Sequence, residues 1–338
     1  MAFPISISDV RTPSVPQKSG IRNFWRRSVE NVMARCDLNV AAFKYQNVMV
    51  SDGGPIEKIE VTKVGEGSEA CYFANAYISE QIIKRPVRTS KIYCHSDGHG
   101  VHAIETIARF MAISEAMERW AFQVYAGSEM HNLYGFDVDG STNGMAAFPG
   151  MLRAKARERA RIEALERYAL LNWWEGHLEH RVHVVGEDRS MRAVEILVPD
   201  TTDSVVVLFE DDRVTGTRHY GYGAGKNLTV AIERAKTELM GHRLVAHAFC
   251  ERYPDPELGM LAIKSHQERR AIFFALEEGQ SLFDERLSLK AWAPYNERKV
   301  VFNDEIPGEW DKYATVWRCL YEPPSDEFTS NRSDYFFW

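Results

Sequence analysis

Apolar residues recur at helical spacing from about Val101 to Val124, and a second helical stretch runs from about Leu152 to His180. A third helix is predicted to open after Gly221-Tyr222-Gly223-Ala224-Gly225 and to continue to about Cys250, and a fourth to cover Ser265 to Glu278. A short amphipathic helix is expected around Asn23 to Arg35. Strand-like runs lie between and around these helices: Ile59 to Val64, Val194 to Val198, Ser204 to Phe209 and Ala314 to Tyr321. A loop rich in Gly, Asn and Ser, Asp137 to Gly144, separates the first two long helices. The pattern gives an α+β fold in which β-sheets pack with long helices. A polar, β-rich lead-in is expected over residues 1–60 and one larger domain over 61–338, with no clear linker between them.

Composition narrows the class. A chain of 338 residues with 45% hydrophobic content can bury a sizeable core. The formal net charge of −7 argues against a nucleic-acid partner, which would demand a basic surface. The basic run Arg153, Lys155, Arg157, Arg159, Arg161 is the local exception, and it fits a solvated helix face or a site for an acidic leader or phosphates. No stretch reaches the roughly 18 consecutive apolar residues of a membrane span, and the start lacks the basic and apolar regions of a secretory signal. A cytoplasmic protein with no membrane association is expected. Cys36, Cys71, Cys94, Cys250 and Cys319 are scattered without the close pairs of zinc sites, and read as free thiols.

One pattern occurs twice. Glu115-Ala116-Met117-Glu118-Arg119-Trp120-Ala121 and Glu163-Ala164-Leu165-Glu166-Arg167-Tyr168-Ala169 share Glu-Ala-apolar-Glu-Arg-aromatic-Ala. On a helix, positions i and i+3 share a face, so each copy presents a carboxylate pair, and two such helices facing each other present four carboxylates. The acids sit on otherwise apolar stripes. Burial and like charge both raise carboxylate pKa values, and hard Mg2+ ions bridging to nucleotide phosphates would compensate them. The same pattern also describes a helix surface in which Arg119 and Arg167 satisfy neighbouring acids.

Asn143-Gly144-Met145-Ala146-Ala147, then Ala160 to Tyr168 and Trp173-Trp174, resemble the central signature of the YcaO family. Ser114 to Arg119 resembles that family's first glutamate helix, while Gly221 to Ala224 with Ala231 to Leu239 resembles its third block. The resemblance spans roughly residues 98 to 243 in the family's order. It implies ATP and Mg2+ as cofactors, with Glu115, Glu118, Glu163 and Glu166 as metal ligands. It also places Arg119, Asn143, Arg167 and Glu238 at the nucleotide site. The implied reaction is ATP-dependent activation of a peptide backbone amide, as in cyclodehydration of Cys, Ser or Thr to azolines in a ribosomally made peptide. Thioamide formation with a sulfur-donating partner and a non-catalytic scaffold are the alternatives. The implied partners are a precursor peptide or protein, a leader-binding or sulfur-delivery protein, and a second copy of the chain.

The chain departs from the family pattern at the nucleotide contacts. Gly98-His99-Gly100 stands where the family has Gly-Lys-Gly, Met111 replaces a serine one turn before Glu115, and Phe148-Pro149-Gly150 replaces small and amide residues. The proline-rich ending of azoline-forming members is replaced by Tyr335-Phe336-Phe337-Trp338, which could dock into the protein itself or into a partner. Trp173-Trp174 reads as packing or as a peptide platform. His177, His219 and His242 have no partner at diagnostic spacing and are not assigned catalysis.

Overall fold

The computed structural model describes residues 35–65, 70–83, 95–186 and 190–338. The helix expected at Asn23 to Arg35 lies outside them apart from its last residue, where helix α1 (Arg35–Tyr45) begins. Three antiparallel sheets alternate with three long helices. Sheet one runs β1 (Ile56–Val64), β2 (Cys71–Ile78), β3 (Gly98–His102) and is followed by α2 (Glu105–Ala126). Strand β1 passes unbroken across residue 60, where the sequence placed the end of the lead-in. Sheet two has the order β4 (Asn143–Pro149), β10 (Ala314–Tyr321), β9 (Val300–Glu305), and α3 (Arg153–Trp174) follows β4. Sheet three runs β5 (Glu179–Val185), β6 (Met191–Leu197), β7 (Ser204–Asp211), β8 (Arg218–Gly225), and α4 (Leu228–Arg252) follows β8. Shorter helices α5 (Pro256–Leu261), α6 (His266–Ala275) and α7 (Glu277–Ser288) complete the chain.

The period-2 alternation of the strands stacks these elements into layers. One core joins sheet one, α2 and one face of sheet two through Ala74, Ala76, Ala112, Trp120, Met145, Ala147 and Val316. The other face of sheet two meets α3 and sheet three through Ala146, Cys319, Ala160, Ala164, Val207 and Tyr220. The outer face of sheet three, with Ala193, Val206 and Leu208, carries α4 through Ala231, Ala235 and Leu239. Sheet and helix therefore alternate from β1 to α4. Strands β3, β4 and β8, each at the edge of its sheet, are the ones that lead into the long helices.

The same close approach is built three times. A Cβ added at Gly98 would sit 2.0 Å from the carbonyl oxygen of Ala112, one at Gly144 2.0 Å from that of Ala160, and one at Gly221 2.0 Å from that of Ala235. Each helix answers with alanines one turn apart: Ala108, Ala112, Ala116; Ala156, Ala160, Ala164; Ala231, Ala235. The glycines of Gly98-His99-Gly100 and Gly221-Tyr222-Gly223 are thus strand positions that let helix backbone come close. They are not turns.

Two boundaries differ from the sequence reading. Helix α3 stops at Trp174, not His180, because Gly176 turns the chain with φ 85° and its carbonyl accepts from the amides of Trp292 and Ala293. The helix expected over Ser265 to Glu278 is two, since Leu276 has extended backbone at φ −95° and ψ 166° between α6 and α7.

Candidate functional site

The three strand–helix units put one glutamate each at the same place. Counting from the glycine contacts, Glu115, Glu163 and Glu238 each precede the helix residue whose amide nitrogen the strand glycine approaches, Ala116, Ala164 and Leu239. An edge strand leaves backbone donors unpaired. In units one and three the carboxylate takes them: His99 N donates to Glu115 Oε2 at 3.0 Å, and Tyr222 N donates to Glu238 Oε2 at 3.1 Å. In unit two Glu163 accepts instead from Arg167 Nη2 at 2.8 Å. Arg119 holds the matching position in unit one, 3.8 Å from Glu115.

Glu118 and Glu166 lie one turn further on, on the same helix faces. Among the described residues, neither has a hydrogen-bond or ion-pair partner, although Glu166 is only 8% exposed. Burial, then the charges of Glu163 and Glu115, push Glu118 well above the usual carboxylate range. Glu166 is raised to about 7, chiefly by burial and partly by Glu163, against the opposing charges of Arg159, Arg167 and Arg234. Surrounding protein also raises Glu115, with Glu163 adding to the shift. Glu238 is raised by the protein around it and by the charge of Glu166, even though the residue is exposed. Glu163 is thus the centre of the group, felt by Glu115 and Glu118 on one side and by Glu166 and Glu238 on the other.

This arrangement suits divalent cations shared with a ligand better than a closed metal cage. No three of these carboxylates bring oxygens within 4.8 Å of one another. Mg2+ characteristically takes one or two carboxylates and completes its octahedron with water and phosphate oxygens. Glu118 and Glu166, without partners among the described residues, fit such an ion.

Of the residues the sequence singled out, Glu115, Glu118, Arg119, Glu163, Glu166, Arg167 and Glu238 come together. Asn143 does not join them: its Oδ1 accepts from Arg318 Nε at 2.6 Å across sheet two. Arg159 and Arg234 belong to the group and were missed as members of it. Their signal was helical spacing, since each lies four residues before a glutamate, Glu163 and Glu238. Arg234 also donates to the carbonyl of Ala224 at 2.6 Å.

The rest of the basic run points elsewhere. Arg153, Arg157 and Arg161, with Ala154, Glu158 and Trp317, line an open cavity of about 710 Å3 on the opposite side of α3. Trp173 is fully buried, and Trp174 packs against the same core. The terminal aromatics dock into their own chain, where Phe336 is wholly buried among Trp173, Trp174, Phe274, Phe283, Tyr220 and Tyr222. His242 is structural. Its Nδ1 accepts from Tyr220 N at 3.1 Å, and its Nε2 lies 2.9 Å from the carbonyl of Ala271.

Cys71, Cys250 and Cys319 are free thiols, and no helix of the described residues is long and apolar enough to cross a membrane. No protein-family model matches the sequence, and no curated protein matches it. Among the solved structures similar in fold are two of known ligand content. One is YcaO from Methanopyrus kandleri bound with AMPPCP and Mg2+, at 15% identity and a TM-score of 0.45, covering 83% of this chain and 88% of that one. The other is a heterocyclase in complex with substrate and cofactor, at 12% identity and a TM-score of 0.48. That likeness covers 84% of this chain, which spans about half, 52%, of the heterocyclase.

Proposed function

We propose that this chain is a YcaO-type enzyme that binds ATP with Mg2+ and activates a peptide backbone amide. The observation that carries the reading is the pair Glu118 and Glu166, acids with no protein partner among the described residues, set beside Glu115, Glu163 and Glu238 from three separate helices. Glu115, Glu118, Glu163 and Glu166 would hold the metal, with Glu238 completing the acidic wall. Arg119 and Arg167, half-exposed at its rim, would meet phosphate oxygens.

Bound ATP supplies a phosphoryl group that turns an amide oxygen, a very poor leaving group, into phosphate. In the form we favour, the substrate is a ribosomally made precursor peptide presented by a partner protein. A Cys, Ser or Thr side chain would add to the preceding carbonyl carbon with loss of its proton, the amide oxygen would take the γ-phosphoryl group with release of ADP, and phosphate would leave as the amide nitrogen gives up its proton, so that the peptide becomes an azoline with net loss of water. Product mass separates this from thioamide formation, in which sulfur replaces oxygen.

Calorimetry of Mg2+-dependent ATP binding tests the reading on the intact protein, Glu163→Gln and Glu166→Gln. Binding by the wild type and its loss in both variants is the expected result. A folded wild type that binds no nucleotide in the presence of Mg2+ would favour a scaffold role.

A further inference from the structure

A second cluster of ligating side chains lies toward the far end of α4. From Glu238 to His247 is nine residues, about 13 Å along the helix axis. There Asp212, at the tip of the β7–β8 hairpin, meets His219 of β8 and His247 of α4. One donor atom from each residue lies within 4.8 Å of the others, and among the described residues this is the one such trio.

The hairpin aims the carboxylate. Asp212 N donates to Thr217 O at 2.8 Å, Gly216 N donates to Asp212 O at 2.8 Å, and Gly216 takes the left-handed φ of 73° that this tight return needs. Asp212 Oδ1 is occupied by the amides of Val214 at 2.8 Å and Thr215 at 3.4 Å. That leaves Oδ2 facing the imidazoles, 2.8 Å from His247 Nε2 and 3.8 Å from His219 Nε2. Metal–ligand bonds of 2.0–2.1 Å at a tetrahedral zinc place neighbouring donors about 3.3 Å apart. The two observed spacings bracket that value.

His219 supplies the third donor. Its ring is fully buried, and its Nε2, the nitrogen that faces Asp212, has the Thr217 hydroxyl at 3.3 Å besides that carboxylate. The nearby cation Arg243 is paired with Glu210. Asp212 and His247 keep side-chain exposures of 21% and 18%, so an ion and a water can reach the trio from outside.

We propose that Asp212, His219 and His247 form a site for one transition-metal ion, zinc(II) by preference, with a water as fourth ligand. Two histidines and one carboxylate, with an open position, make a donor set that suits zinc and not Mg2+. The ion would tie the β7–β8 hairpin to α4, which carries Glu238 near its middle.

The test uses the full chain stripped of metal, with cobalt(II) as the optical probe. The expected result is one equivalent of cobalt(II) bound with a visible absorption band, its displacement by zinc(II), and a higher thermal midpoint with zinc(II). Both Asp212→Asn and His247→Ala should abolish the band and the thermal shift. His247→Gln, which keeps a donor for Asp212, replaces His247→Ala if that variant does not fold. No stoichiometric binding by folded wild type overturns the proposal. So does wild-type binding by either variant, whatever happens to ATP binding.

Discussion

Units one and two of the stack differ from unit three in one turn of helix. All three place a strand glycine on a helix carbonyl and a glutamate one residue before the next contact. In the first two, that glutamate is followed by a second acid and an arginine, Glu118-Arg119 and Glu166-Arg167. In the third, Glu238 is followed by Gly241-His242 at the same spacing. His242 turns inward to the strand backbone, and the ring of Trp338 covers it at 5.0 Å. The backbone interlock is thus common to all three units, whereas the second acid sets the first two apart. The first glutamate also caps an edge amide in units one and three, through Glu115 and Glu238.

Removing the cover of unit three should have the largest effect. Phe336→Ala deletes a fully buried ring, and the expected loss is about 3–5 kcal/mol in denaturant unfolding. Arg270, which donates to the carbonyls of Phe328, Ser330 and Arg332, holds the rest of the tail, so the damage should centre on unit three. Mg2+-dependent nucleotide binding should weaken by no more than it does in Glu238→Gln wherever the variant remains folded, because units one and two keep their acids.

Next comes the interlock itself. Gly144→Ala puts a methyl group 2.0 Å from the Ala160 carbonyl, between two backbones that cannot both move, at a cost of about 3 kcal/mol. Its stability loss should be accompanied by weaker nucleotide binding, because α3 carries Glu163 and Glu166. A Gly144→Ala protein as stable as wild type would show that the close approach is dispensable.

The pH dependence of unit three should be smaller and of defined sign. His242 is buried and neutral, with its pKa lowered to about 4, so its contribution is complete above the unfolded value of about 6.5 and is lost as pH falls through about 4. Stability should decline by up to roughly 3 kcal/mol over that window. A His242→Gln variant, less stable at neutral pH, should show a shallower decline. Equal slopes would assign the acid sensitivity to other groups.

Much of this was legible in the sequence. Apolar residues at helical spacing and paired glutamates marked α2 and α3, and β10 runs over the residues of the strand-like run, Ala314 to Tyr321. The glycine pairs were harder to read, because a strand glycine that admits a helix looks the same in sequence as one in a turn. Asn143 lay beside a true interlock glycine, yet its side chain was claimed by Arg318, which lies 175 positions away. Asp212, His219 and His247 escaped notice because a hairpin and a distant helical turn bring them together, with no short spacing to mark them.

The central claim is that three units, not two, build one acidic wall for a Mg2+–nucleotide ligand. Calorimetric titration of Glu238→Gln with ATP in the presence of Mg2+ tests it most directly, with Glu115→Gln as the reference. The account predicts that both variants weaken binding by on the order of 10-fold or more. Wild-type affinity in Glu238→Gln, with loss in Glu115→Gln, would confine the site to the two Glu-x-x-Glu helices and contradict the account.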